Sequence, residues 1–280
     1  MACGSLRAGF SHRGAELRQL FFHGKPVLFH GNFDPWPHPS AVLFPVIGQP
    51  PSDWKVPAHG YARNEIFDLV DASSEEVVFR LEHVPQGFGN HQVLTIEISH
   101  RLTNEMLKTA VVIENTGHAD ARFGFGFHPV FQLPRNALAK AGNVTLETIA
   151  CLPQEAVLMQ QMKQTEKTIQ LIAEGNTLAI EPENFQKGGL LLKNTSSEEL
   201  ILRAHRMRWP VAVRSGSARH LALWSLPGMD IFSVEPWVTL PAGRSGGFET
   251  GKQFLELQAG ARRRFEMAII VLPVTSGRPS

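Results

Sequence analysis

The stretch Phe123-Gly124-Phe125-Gly126-Phe127-His128-Pro129 alternates strictly between aromatic residues and small or polar ones. Successive side chains leave a β-strand on opposite faces. Read as a strand, the stretch puts Phe123, Phe125 and Phe127 on one face and Gly124, Gly126 and His128 on the other. Three phenylalanines on one face demand a core beneath them. Glycine within a strand often marks the close approach of a ligand or of another backbone. Two glycines beside His128 therefore predict an open floor with one polar group, where an imidazole can exchange a proton with a bound molecule. The same pattern also serves a histidine hydrogen-bonded within the sheet, and the segment alone does not choose.

A second alternating stretch, Ile231-Phe232-Ser233-Val234-Glu235-Pro236-Trp237, sends Phe232 and Val234 one way and Ser233, Glu235 and Trp237 the other. A carboxylate among apolar residues is rarely buried without a partner. Burial would raise its pKa and suit it to proton transfer. A tryptophan beside a carboxylate is also a common way to hold a sugar, the indole on the C–H face of the ring and the carboxylate on a hydroxyl. A core Trp beside a surface Glu would give the same pattern. A third segment, Pro57-Ala58-His59-Gly60-Tyr61-Ala62-Arg63, is turn-like at its start, and its His59 and Arg63 can both donate hydrogen bonds to a hydroxylated or anionic ligand.

Bulk properties exclude several classes. With 280 residues, 43% of them hydrophobic, the chain can bury a substantial core as one large all-β domain or as two ordinary ones. A formal net charge of +1 gives no bulk argument for nucleic acid. The run Arg262-Arg263-Arg264 is short and followed by apolar residues, so it reads as a solvated strand start. Two cysteines, Cys3 and Cys151, form neither a disulfide framework nor a metal motif, which fits a reducing compartment. No segment approaches the roughly 18 uninterrupted apolar residues of a membrane span, and residues 1–20 do not read as a signal peptide. The expectation is a soluble, cytoplasmic protein with a frayed tail at Ser276–Ser280.

Strand signals dominate. Glu76–Val84, Val93–His100, Lys108–Glu114, Val144–Ala150, Thr177–Ile180, Gly189–Leu192, Glu199–Leu202, His220–Trp224 and Arg264–Val271 are candidates. The 24 glycines and 19 prolines are spread along the chain as punctuation between them. Helix is scarce; Gln154–Lys167 is the best candidate, with Ala156, Leu158 and Met159 giving a poor apolar stripe. Many short strands with little helix predict an antiparallel sandwich or related all-β architecture. With no repeat and no linker, residues 1–280 read as one domain with its core at about residues 14–271.

The chain resembles the aldose 1-epimerase (galactose mutarotase-like) superfamily, especially its branch of uncharacterised aldose-epimerase-like proteins. The matching pieces occur in the family's order: Gly14-Ala15-Glu16-Leu17; Leu43-Phe44-Pro45-Val46-Ile47-Gly48; His59-Gly60-Tyr61-Ala62-Arg63; Gly126-Phe127-His128-Pro129-Val130-Phe131; Leu223-Trp224-Ser225; and Val234-Glu235-Pro236-Trp237. The resemblance implies a β-supersandwich with the sugar in a surface cleft. It implies Glu235 as general base, His128 as general acid, His59 as the residue that orients the sugar or assists at the ring oxygen, and Arg63 as an arginine lining the site. Trp237 and Phe127 join Arg63 as candidate substrate-binding residues.

The implied reaction is interconversion of α and β anomers. It needs no metal and no organic cofactor, in keeping with the absence of a metal-spaced Cys/His cluster in the sequence. The expected partner is a small-molecule sugar or sugar phosphate, without nucleic acid or membrane, the chain acting as monomer or homodimer. Two departures bear on substrate range. Where the family often places a sugar-binding aspartate, this chain has Phe185-Gln186-Lys187-Gly188-Gly189-Leu190, and Gln49 follows Gly48 where a basic residue is frequent. A hexose-6-phosphate 1-epimerase would need two or three cations around a phosphate, with Arg63, Lys187, Arg206 and Arg208 as candidates. A sugar-binding or regulatory protein without turnover is the alternative outside enzymes.

Overall fold

A computed structural model describes residues 1–31, 36–82, 93–149, 152–195, 198–242 and 253–272. Every strand pair among them is antiparallel. Helix among the described residues is confined to short 3-10 turns at Ser52–Trp54, Ala62–Asn64, Ala137–Ala139 and Pro182–Phe185. Cys151, the tail Ser276–Ser280 and the ends of two expected strands at Val84 and Ala150 lie outside the described residues.

Two large sheets carry the fold. The ten-stranded sheet runs, in spatial order, Ile172–Glu174, Thr177–Ala179, Val144–Thr148, Glu199–Ala204, Val211–Arg214, Arg262–Val271, Met106–Asn115, Leu94–Leu102, Glu76–Leu81 and Asp68–Ala72. The seven-stranded sheet runs Lys163–Gln170, Glu155–Gln160, Gly189–Lys193, His220–Trp224, Ile231–Trp237, Gly126–Gln132 and Ser40–Leu43. A four-stranded N-terminal sheet (Ala2–Cys3, Leu6–Ser11, Glu16–Phe22, Lys25–Pro26) and the pair Ala121–Phe123 with Leu255–Leu257 complete the set.

One apolar cluster joins the sheets. Ile96, Ile98, Val111, Phe265 and Ile269 from the larger sheet meet Val42, Phe127, Leu190, Leu223, Phe232 and Val234 from the smaller. Phe125 stacks on Phe265 at 4.1 Å between centroids. Each fully buried phenylalanine contributes about 1.5–3 kcal/mol relative to exposure. The seven-stranded sheet is apolar on its outer face as well, where Ala41, Leu43, Val130, Leu191, Ala222, Ile231 and Trp237 form a separate cluster. A sheet buried on both faces can place polar groups in a dry environment, and the site exploits this.

Two expectations need correction. The stretch from Phe123 to Pro129 is not one strand: it breaks at Gly124 and Phe125, whose N–H groups bond Pro45 O and Thr239 Oγ1, and the chain passes there from the two-stranded pair to the seven-stranded sheet. Gln154–Lys167 is not a helix but a hairpin, Glu155–Gln160 against Lys163–Gln170. Its Ala156 and Leu158 enter the main core while Met159 joins the outer cluster, the period-two division of a strand.

The loops beside the outer face are held by backbone contact. Phe44 forms an isolated bridge with Gly60, and a Cβ on Gly60 would lie 1.9 Å from Phe44 O. Gly60 also has φ +79°, a conformation that side chains rarely adopt. Gly60→Ala is therefore expected to cost about 2–4 kcal/mol in urea unfolding; a cost within about 0.5 kcal/mol would show that the two loops are not locked together.

Candidate functional site

Strand register brings the two most informative sequence segments together. Gly126 pairs with Trp237 and Val130 with Ser233, so His128 and Glu235, midway between those pairs, are opposite neighbours on adjacent strands. The strand alternation puts both on the outer face, Phe127 and Val234 pointing the other way into the core. His128 Nε2 lies 3.3 Å from Glu235 Oε1, and Ser233 Oγ donates to the same carboxylate at 2.5 Å. Beyond them in register lie Ala41, opposite His128, and Ala222, opposite Glu235. Of these two, Ala222 lines the open space above the pair, while Ala41 is packed in the outer cluster with Trp36.

Burial controls the charges. Glu235 is 2% exposed and His128 5%. Desolvation pushes Glu235 up to about 8, against the pull of Ser233 and the Trp237 indole. Desolvation, and after it the disfavoured pairing of a second positive charge with His59, Arg63 and His38, hold His128 well below the ordinary imidazole range. At neutral pH the pair thus holds one proton between two groups that both resist charge.

His59 comes from a separate loop. Its backbone has φ 60° and its N–H donates to Gly48 O at 2.8 Å. In return Gly48 N–H donates to His59 Nδ1 at 3.3 Å. Burial and Arg63 push His59 down to about 3, so the ring is neutral. With Nδ1 accepting, the ring proton sits on Nε2, which leaves a fixed N–H donor. The His59 ring meets the His128 ring edge-on at 5.7 Å.

Trp36 ties these parts together, and the sequence reading overlooked it. Its indole stacks on His128 at 4.4 Å and 26°, with the Arg63 guanidinium 4.7 Å from its ring centroid. The segment carrying Trp36 is anchored by Glu16, 2% exposed. Glu16 accepts Ser40 N–H at 3.1 Å and lies 3.2 Å from both His38 Nδ1 and Arg18 Nη1. Arg18 also bonds Pro37 O. Nothing local in Gly14-Ala15-Glu16-Leu17 signals this role, because each partner comes from the distant segment 37–40 or depends on its placement.

Trp36, His59, His128, Met159, Gln161, Met162, Gly188, Gly189, Leu190, Ala222, Leu223, Trp224, Glu235 and Trp237 line a cleft of about 210 Å³. His59, His128, Glu235 and Trp237 are gathered there. Phe127 is not: it is 1% exposed on the core face, edge-on to Phe125, because its neighbour His128 takes the outer face. Arg63 lies behind Trp36, its Nη2 donating to Ala58 O at 2.8 Å. The glycines of the alternating stretch do not form the floor. A Cβ on Gly126 would come within 2.7 Å of Trp237 Cδ1, and one on Gly124 within 3.0 Å of Thr239 Oγ1; they admit neighbouring protein groups instead. Arg206 and Arg208 line a separate groove with Lys25 and Trp209, and Lys187 is exposed.

Comparison with known proteins fits this architecture. The family model described as aldose 1-epimerase matches residues 5–194. The chain belongs to the aldose 1-epimerase family. Glu235 lies beyond the matched residues, so its place in this family member rests on the strand register. The fold is similar to a galactose mutarotase-like protein from Lactobacillus casei ATCC 334, with 22% identity, TM-score 0.87, and 97% of this chain and 98% of that one covered. It is similar to a galactose mutarotase related enzyme from Lactobacillus acidophilus at 19% identity and TM-score 0.86, covering 100% and 99%. An aldose epimerase homologue from C. elegans aligns over 98% of both chains at 13% identity and TM-score 0.67. A search of curated proteins finds no match. The fold is the antiparallel, galactose mutarotase-like β-supersandwich.

In this family member the Glu16 anchor should be felt at Trp36. Glu16→Ala strands Ser40 N–H and His38 and is expected to cost about 3 kcal/mol in chemical unfolding. Glu16→Gln keeps an acceptor and should cost less. Equal stability of Glu16→Ala and the wild type would show that the segment is held by other contacts.

Proposed function

We propose that the chain is an aldose 1-epimerase that interconverts the α and β anomers of a neutral hexose or related aldose. The observation that carries this reading is the buried contact between Glu235 and His128 in a small, tryptophan-walled cleft. Drug-sized sites span about 300–1,000 Å³, so a cavity of about 210 Å³ suits a single sugar ring.

An aldopyranose is a cyclic hemiacetal. In the proposed reaction the Glu235 carboxylate takes the proton of the anomeric hydroxyl while His128 imidazolium gives one to the ring oxygen. The C1–O5 bond breaks and C1=O1 forms. After rotation about C1–C2, the O5 hydroxyl attacks the other face of C1, returning its proton to His128, and protonated Glu235 returns the other to O1. No atom or charge is gained overall. The burial that raises Glu235 makes its carboxylate a stronger base, and the burial that lowers His128 makes its imidazolium a stronger acid. The cost is population, because the charged form of the pair is the minor one. The His59 Nε2–H would donate to a sugar oxygen without competing for the shared proton.

A neutral sugar is favoured over a hexose phosphate. Among the described residues, no lysine or arginine lines the cleft, and the cations that would hold a phosphate stand elsewhere. A cytoplasmic setting, as the cysteine usage indicates, completes the reading. The side-chain-free wall at Gly188 and Gly189 supports a second reading, a sugar-binding protein without turnover.

Anomer exchange followed by NMR, across a panel of free and phosphorylated aldoses, tests both. Glu235→Gln and His128→Asn are each expected to lose about 10²–10⁴-fold in exchange rate while retaining sugar binding. Wild-type rates in both variants would assign proton transfer to other groups. Binding without exchange in the wild type would favour the second reading.

A further inference from the structure

The hairpin Glu155–Gln160 and Lys163–Gln170 turns through two residues only, Gln161 and Met162, with φ 48° and 60°. Such a turn needs left-handed backbone at both positions, and Asn-Gly or similar pairs serve it without strain. This chain instead puts two long side chains there. Backbone held in the left-handed region by non-glycine residues clusters at functional sites, and here both residues line the cleft with His128 and Glu235.

The turn is also docked. Gln49 N–H donates to Met162 O at 3.0 Å, and a Cβ on Gly48 would lie 2.4 Å from that oxygen. Gly48 is the residue whose N–H bonds His59 Nδ1. The tip therefore has a fixed position relative to His59. The adjoining strand supplies no side chain for recognition at Gly188 and Gly189, and a Cβ on Gly188 would lie 1.8 Å from Met159 O. Apart from His59, His128, Glu235 and the indoles, Gln161 is the only polar side chain among the described residues lining the cleft.

We propose that the Gln161–Met162 turn is the specificity element of this site. The Gln161 amide hydrogen-bonds a hydroxyl of a neutral sugar at a carbon other than C1, and Met162 packs against the apolar edge of the ring. This rests on the epimerase reading for the kind of ligand. A neutral amide both donates and accepts, so it holds a hydroxyl without drawing a charged group into the dry cleft.

The test uses the full chain with Gln161→Ala and the double substitution Gln161→Asn/Met162→Gly. Anomer exchange and sugar binding, the latter by intrinsic tryptophan fluorescence, are measured on the preferred aldose and its monodeoxy analogues. Gln161→Ala is expected to raise KM and Kd about threefold to tenfold, the range of one neutral hydrogen bond, with kcat within about twofold. The penalty should vanish for one monodeoxy analogue. The double variant should bind more weakly still yet melt at a higher temperature, since Asn-Gly relieves the turn; a merely structural turn would not combine these two effects. Unchanged KM and Kd on every aldose, or an equal penalty on all analogues, would overturn the proposal. A wild type that binds but does not exchange anomers would defeat the epimerase reading alone, because the Kd comparison still tests Gln161. A wild type that binds no aldose would defeat both.

Discussion

The structure depends on a sheet buried on both faces. Its inner face meets the ten-stranded sheet through one continuous core, and its outer face carries a second apolar cluster. Because the side-chain period of a strand is two, a polar residue beside a core phenylalanine is sent to the opposite face. His128 follows Phe127 and Glu235 follows Val234, so two adjacent strands deliver an imidazole and a carboxylate to one dry surface. A slip of one residue in either strand would send its polar group into the core. The packing that holds the register is thus also what assembles the site.

Burial makes the pair chemically useful and costly together. An unpaired charge at this depth would be expensive, and the pair avoids two charges by sharing one proton. His100 shows the contrasting outcome. It is equally buried, but its two ring nitrogens are occupied by Thr109 Oγ1 and Ala15 O, so it is a satisfied core histidine. His128 instead faces a cleft, stacked on Trp36 and touching Glu235. The difference lies in what each ring faces.

The alternating segments were legible because alternation is local, and they correctly divided Ile231–Trp237 between two faces. The floor was misread for a physical reason: glycine in a strand signals close approach, and in Gly126 the approaching group is Trp237 rather than a ligand. The space above the pair borders Ala222, which only the register identifies as the neighbour of Glu235. The hairpin at residues 155–170 was hidden because Gln-Met carries no turn signature, and its position is enforced from outside by Gly48 and Gln49. Trp36 and Glu16 were invisible for a related reason, since each acts through residues distant in the chain.

The most direct measure of the account is the pH profile of anomer exchange. The pair should be active while it holds one proton. The rate is expected to stay level through neutrality and fall above about pH 8, where Glu235 ionises and the pair is left without an acid. On the acid side it should fall only well below 6.5, where a second proton reaches His128 and the pair is left without a base. A rate that rises through 4.5 and falls through 6.5, the ordinary values of the two groups, would contradict the buried, proton-sharing pair.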